Sequence, residues 1–157
     1  MKRYSLIGVL LCFLTAGAQA QTPGGKQMSH ATGSFEVKVT PDTSGERAGR
    51  APVGRMLLDK QYSGPLEATG QGDMLSAGTP GAGAAVYVAV EHVTGTLNGK
   101  RGGFLLAHLG TMNGASSELN VSIVPGSGTG ELAGISGKCG IRIVERKHFY
   151  DLEYTLP

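Results

Sequence analysis

The sequence predicts an all-β fold, a single antiparallel domain closed into a barrel. Runs rich in Val, Leu, Tyr and Thr recur at short spacing with Gly, Pro or Asn-Gly between them. Glycine supplies 26 of 157 residues, and each interior glycine costs a helix about 1 kcal/mol relative to alanine. No window of about twelve residues has helical periodicity. About eight or nine strands in one domain mean a barrel or a sandwich. Closure favours the barrel, because it leaves no strand edge exposed.

The elements follow in order. Lys2 and Arg3 precede an apolar run from Leu6 to Leu14, and Ala18-Gln19-Ala20 offers small residues for cleavage. This is the pattern of an export signal. As a helix the run rises only about 14 Å, too short for an anchor. Residues 1–20 are therefore expected to be a signal peptide, 21–29 a disordered lead-in and 30–157 the barrel domain, located in the periplasm or outside the cell. Phe35, Val37 and Val39 alternate with Glu36, Lys38 and Thr40, the period of a half-buried strand. Pro41 ends that strand, and Asp42 to Ala51 reads as a loop. Further strands are expected over Gly54–Tyr62, Leu66–Thr69, Met74–Ala77, Ala84–Leu97, Phe104–Thr111, Leu119–Val124, Cys139–Val144 and His148–Leu156. Asn98-Gly99 between two β-rich runs marks a hairpin.

Charge and cysteine use bound the function. Without residues 1–20, Lys+Arg falls from 14 to 12 against 12 Asp+Glu, so the exported chain is formally neutral. Nucleic-acid binding needs clustered positive charge, and none is present. No other segment approaches the length of a membrane span. Cys12 lies in the signal, which leaves Cys139 without an intramolecular partner. It reads as a small buried apolar residue, and the fold relies on no disulfide.

Two constellations invite chemistry. Gly128-Thr129-Gly130-Glu131-Leu132-Ala133 fits a dinucleotide fingerprint, but that needs a helix directly afterwards, and Gly134 and Gly137 interrupt one. The segment reads instead as a tight barrel corner. The second constellation is the Asn98-Gly99 hairpin. A two-residue turn opposes Leu97 to Lys100, Glu91 to Leu106 and Ala89 to His108. One face then carries Tyr87, Ala89, Glu91, Val93, Phe104, Leu106 and His108. A longer loop centred on Lys100 would oppose His92 to His108, but turn chemistry favours the shorter one.

If that face points inward, Glu91, His108 and Tyr87 share an apolar cavity with Phe104. Desolvation would then raise the Glu91 pKa and suit it to acid or base work. The opposite face, with Val86, Val88, Val90, Leu105, Ala107 and Leu109, is more apolar and is the alternative interior. In the last strand Tyr150, Leu152, Tyr154 and Leu156 alternate with Phe149, Asp151, Glu153 and Thr155, so Tyr154 can present a hydroxyl to the lumen. His30, His92, His108 and His148 lack metal-ligand spacing, and neither a metal nor a cofactor is expected.

The order of five blocks adds a resemblance. Ala31-Thr32-Gly33-Ser34-Phe35-Glu36-Val37, Met74-Leu75-Ser76-Ala77-Gly78, Tyr87 through Leu97, Ser127-Gly128-Thr129-Gly130-Glu131-Leu132 and Lys147-His148-Phe149-Tyr150 occur in sequence. Together, over His30 to Leu156, they resemble the bacterial family called domain of unknown function 3224. The resemblance implies an eight-stranded antiparallel barrel like that of the allene oxide cyclases. Gly128 to Gly137 is also similar to the Gly-Thr-Gly segment of dirigent proteins and those cyclases, which implies a place in the barrel wall. Leu132 departs from the aromatic residue those relatives carry. None of their catalytic residues can be matched here.

The expectation is an exported barrel binding a small, mostly apolar molecule among Tyr87, Glu91, Phe104, His108 and Tyr154. The alternatives are a cofactor-free cyclase or isomerase using Glu91, and a structural or oligomerising barrel filled by its own side chains. A homo-oligomer is compatible with each.

Overall fold

The structure, a computed structural model, describes residues 27–43, 53–79, 83–114 and 116–157. The signal peptide, most of the lead-in and most of the Asp42 to Ala51 loop lie outside the described residues. Among the described residues there are nine strands: β1 (Ser29–Pro41), β2 (Gly54–Ser63), β3 (Leu66–Thr79), β4 (Ala84–Leu97), β5 (Lys100–Asn113), β6 (Ser116–Ile123), β7 (Thr129–Gly130), β8 (Ser136–Val144) and β9 (Lys147–Thr155). The order β4-β3-β2-β1-β9-β8-β6-β5, closed by β4 pairing β5, makes an eight-stranded antiparallel barrel. No helix occurs among the described residues.

Two expected strands, Leu66–Thr69 and Met74–Ala77, are one continuous β3. Gly70 and Gly72 look like a break in the sequence. They stay extended because β2 pairs on one side and β4 on the other, a tertiary constraint that overrides local propensity. Most other strands also run longer than their patterns suggest, and β1 already includes Ser29 from the expected lead-in.

The β4–β5 hairpin turns at Asn98 and Gly99, with φ of 49° and 78°, the left-handed pair of a type I′ turn. Leu97 pairs Lys100, Glu91 pairs Leu106 and Ala89 pairs His108. This register sends Ala89, Glu91, Val93, Phe104, Leu106 and His108 inward, all buried. Val86, Val88, Val90 and Leu109 face out and are about half exposed, so the more apolar face of the hairpin is the outer one.

The barrel's two ends differ. At one end residues 124–135 cross the opening, and Leu132 and Ile135 drop into it at 1% exposure each. They pack with Leu66, Leu97, Phe104 and Leu152. Gly128 passes so close to the Leu132 carbonyl that no Cβ would fit. Residues 128–135 therefore lie across the barrel end, not in its wall. Only Thr129 and Gly130 form a strand, β7, paired to Gly103 and Gly102 outside the ring. Among the described residues nothing comparable crosses the other end. There the inward parity of β1, β5, β6 and β8 reaches Val39, Met112, Leu119 and Ile143, which remain 42–65% exposed. Between β6 and β8 a single register pair, Ser122 with Lys138, joins the wall. A crevice of about 260 Å³ lies beside it, touching Val121 and Cys139.

Candidate functional site

Halfway down the barrel the apolar interior contains charge. Alternation along β2 points Leu58, Lys60 and Tyr62 inward, while Asp59 and Gln61 face out. From β4 comes Glu91, with no exposed surface, and from β5 comes His108 at 6%. Lys60 Nζ donates to Glu91 Oε2 at 2.6 Å, and the Tyr62 hydroxyl donates to Oε1 at 2.8 Å. His108 Nε2 sits 3.1 Å from Oε2 but off the line of a directed hydrogen bond, and has no other partner among the described residues. Opposite the carboxylate, β3 has Gly70, where any Cβ would strike Glu91 Oε1. That glycine makes the space the carboxylate occupies.

Aromatic rings support the cluster. The Lys60 ammonium lies 4.9 Å from the Phe35 ring centroid, close enough for a cation–π contact. Tyr62 packs tilted against Phe35 at 5.3 Å and edge-on against Tyr150 at 5.7 Å. The Tyr150 hydroxyl accepts from Leu66 N at 3.0 Å, which ties this stack to the sealed end.

The Glu91 carboxyl corrects the expected direction of its pKa. Burial alone would push it up, but the His108 ring, the Lys60 ammonium and the Tyr62 hydroxyl together hold it below its ordinary 4.5. Glu91 therefore stays ionised inside the barrel. Burial, with the adjacent Glu91 charge, pushes the Tyr62 phenol up, so it remains a neutral donor. Burial likewise pushes the Cys139 thiol up to about 12, and its side chain lies in the core rather than at a reactive surface. A folded carboxyl pKa below the unfolded one gives stability that is present above the unfolded value. That stability is lost as pH falls through the folded value. Acid unfolding should accordingly include a proton taken up at Glu91 below about pH 4.5. In Glu91→Gln the slope of stability against pH below that point should flatten, as read by urea unfolding at pH 3 to 6. An unchanged slope would mean that Glu91 does not titrate with folding.

Of the residues expected to meet in the lumen, Glu91 and His108 do. Tyr87 lies nearer the open end, half-buried, with its ring over Gly110, its partner on β5. Phe104 belongs to the apolar packing of the sealed half. Tyr154 is buried there too, and its hydroxyl accepts from Asn98 Nδ2 at 2.8 Å, so it braces the hairpin turn. Lys60 and Tyr62 are not among the site residues expected from the sequence. Their signal was available: Lys60 shares the parity of Leu58 and Tyr62, and a lysine on an apolar face requires a buried partner.

The arrangement bears on what the cluster can hold. The ammonium at 2.6 Å on Glu91 Oε2 occupies the place a cation would take. Among the described residues no group of three or more His, Cys, Asp or Glu side chains is placed to hold a metal ion. With Lys60 and Tyr62 donating to its oxygens and the His108 ring against it, the carboxylate is a fixed negative charge more than a free base.

Comparison with known proteins agrees with the fold. The profile of a family described as "Protein of unknown function (DUF3224)" matches residues 31–154. The chain belongs to the DUF3224 family. A solved structure of a DUF3224 protein with unknown function, from Shewanella oneidensis MR-1, superposes on it with a TM-score of 0.74 at 44% sequence identity. The match covers 83% of this chain and all of the other. No curated protein matches. In this DUF3224 barrel the matched region contains Lys60, Glu91 and His108, as well as the segment that closes the sealed end.

Proposed function

We propose that this DUF3224 barrel binds a small, mostly apolar molecule that enters at the open end and directs a polar group toward the Lys60–Glu91–His108 cluster. The observation that supports this reading is the asymmetry of the interior. One end is plugged by Leu132 and Ile135, whereas inward-facing Val39, Met112, Leu119 and Ile143 at the other end are left 42–65% exposed. Apolar side chains that point into a barrel yet remain wet are stabilised by an occupant. Below them a buried ion pair adds little to stability relative to apolar packing, which favours a role in recognition. Residues 1–20, read as an export signal, would place this binding in the periplasm or outside the cell.

Native and denatured masses of the protein purified from an exporting host test the reading. An extra mass that disappears on denaturation supports an occupied lumen and names the ligand class. A bare mass, together with no saturable fluorescence from added N-phenyl-1-naphthylamine, overturns it in favour of a self-filled barrel. A probe signal that Met112→Glu abolishes would place the occupant at the open end.

A further inference from the structure

The outer wall carries a second concave surface, separate from the lumen. Three hollows of about 390, 880 and 440 Å³ follow one another from β3 across β2 and β1 to β9 and β8. The first two share Glu36 and Gln61, and the second two share Ser34, Ser63 and Phe149, so they form one groove. Register explains its floor. Ser63 pairs Ser34, Ser34 pairs Phe149 and Phe149 pairs Arg142, giving one outward row across four strands. The two serines leave the hollow, and Phe149 with Arg142 forms its wall, the guanidinium 5.6 Å from the ring centroid. The pair puts an aromatic ring and a guanidinium within cation–π reach of each other on that wall. Along the floor, carboxamides, carboxylates and cations alternate, as in the row Gln71, Asp59, Lys38.

An independent feature lies at the groove's edge. The β8–β9 turn places Glu145 and Arg146 at φ of 49° and 65°, a left-handed pair with no glycine. The β4–β5 hairpin uses Asn98-Gly99 at the same two positions, residues suited to that conformation. Non-glycine residues persist there when their surroundings fix them, and such strain gathers at ligand sites. Arg146 and Lys147 both line the groove.

We propose that this groove binds an extended oligosaccharide. A sugar ring would lay its C–H face on the Phe149 ring, since those hydrogens are drawn to the negative face of an aromatic ring. Its hydroxyls would meet Gln61, Glu36, Ser34 and Ser63, which offer both donors and acceptors. Glu36, Asp59 and Asp151 interrupt the cations and oppose a polyanion such as nucleic acid. With Phe149 as the main apolar surface, the groove also suits no purely apolar ligand.

Amide-shift titration of the labelled full chain with cellohexaose, maltohexaose, chitohexaose and xylohexaose tests this. At least one should give saturable shifts at Ser34, Gln61, Ser63 and Phe149. Arg146→Gly suits the turn and should hold or raise Tm, yet weaken binding by about tenfold or more; Phe149→Leu keeps the apolar bulk and should weaken it similarly. No saturable shift with any of the four sugars, saturable shifts confined to other surfaces, or affinity unchanged in both variants would overturn the proposal.

Discussion

Glu91→Leu should destabilise the protein by about 3–5 kcal/mol, the range for removing one partner of a buried ion pair. The reason lies with the partner left behind. Lys60 has a side chain only 5% exposed, and its ammonium would keep the Phe35 ring and the weak 3.4 Å contact to the Tyr62 hydroxyl but lose its only carboxylate. Tyr62 would lose its acceptor as well. Lys60→Met should cost a comparable amount, because it strands Glu91. The double variant Glu91→Leu, Lys60→Met should cost far less than the two single effects together, since apolar replacement of both charges is often neutral. Urea unfolding of the four proteins gives the coupling, expected at about 2 kcal/mol or more for residues in direct contact. Salt should change it little, because buried pairs are weakly screened. The outer Arg55–Asp73 pair, at 2.7 Å but exposed, provides the screened comparison. Two small, additive single effects would mean that water reaches the cluster and that the charges are solvated.

Gly70→Ala should be nearly as damaging as a charge deletion, about 3 kcal/mol, at the upper part of the range for overpacking. The added methyl would meet Glu91 Oε1 and lie 3.2 Å from Tyr62 Cε2. To escape, the carboxylate would have to abandon its bonds to Tyr62 and Lys60. The specific expectation is rescue: in a Glu91→Ala background the same Gly70→Ala change should cost about 1 kcal/mol or less, because the colliding group is gone. A full cost retained in that background would place the strain in the backbone and not at the carboxylate. Gly72→Ala is the contrast. Its Cβ would strike the Val90 carbonyl, so removal of Glu91 should not rescue it.

These two residues show where sequence reading reached its limit. Glu91 and His108 were legible as a pair because a two-residue Asn98-Gly99 turn fixes the β4–β5 register, and register fixes which side chains share a face. Whether that face was inner or outer was not legible, since the outward Val86, Val88 and Val90 are the more apolar set. Local hydrophobicity could not decide it. The inner face tolerates Glu91 because the Lys60 ammonium and the Tyr62 hydroxyl from β2 meet it, the His108 ring of β5 lies against it and β3 supplies a glycine to make room. The sign of the Glu91 pKa followed the same course. Desolvation is a property of burial, and the direction expected from it was overturned by donors on strands 31 and 17 residues away.

The sequence by itself determined the all-β class, the succession of strands and the β4–β5 register, because these depend on alternation and on turn residues that act over a few positions. The family resemblance, on five blocks in order, likewise stood without a structure. Tertiary structure alone decided that β3 runs unbroken through Gly70 and Gly72, that residues 128–135 plug one end, and that Lys60 and Tyr62 complete the Glu91 cluster. Each of these depends on contacts between strands far apart in the chain. Ring closure sets which strands face one another across the lumen, and a period-two pattern within one strand carries no record of its partner across the barrel.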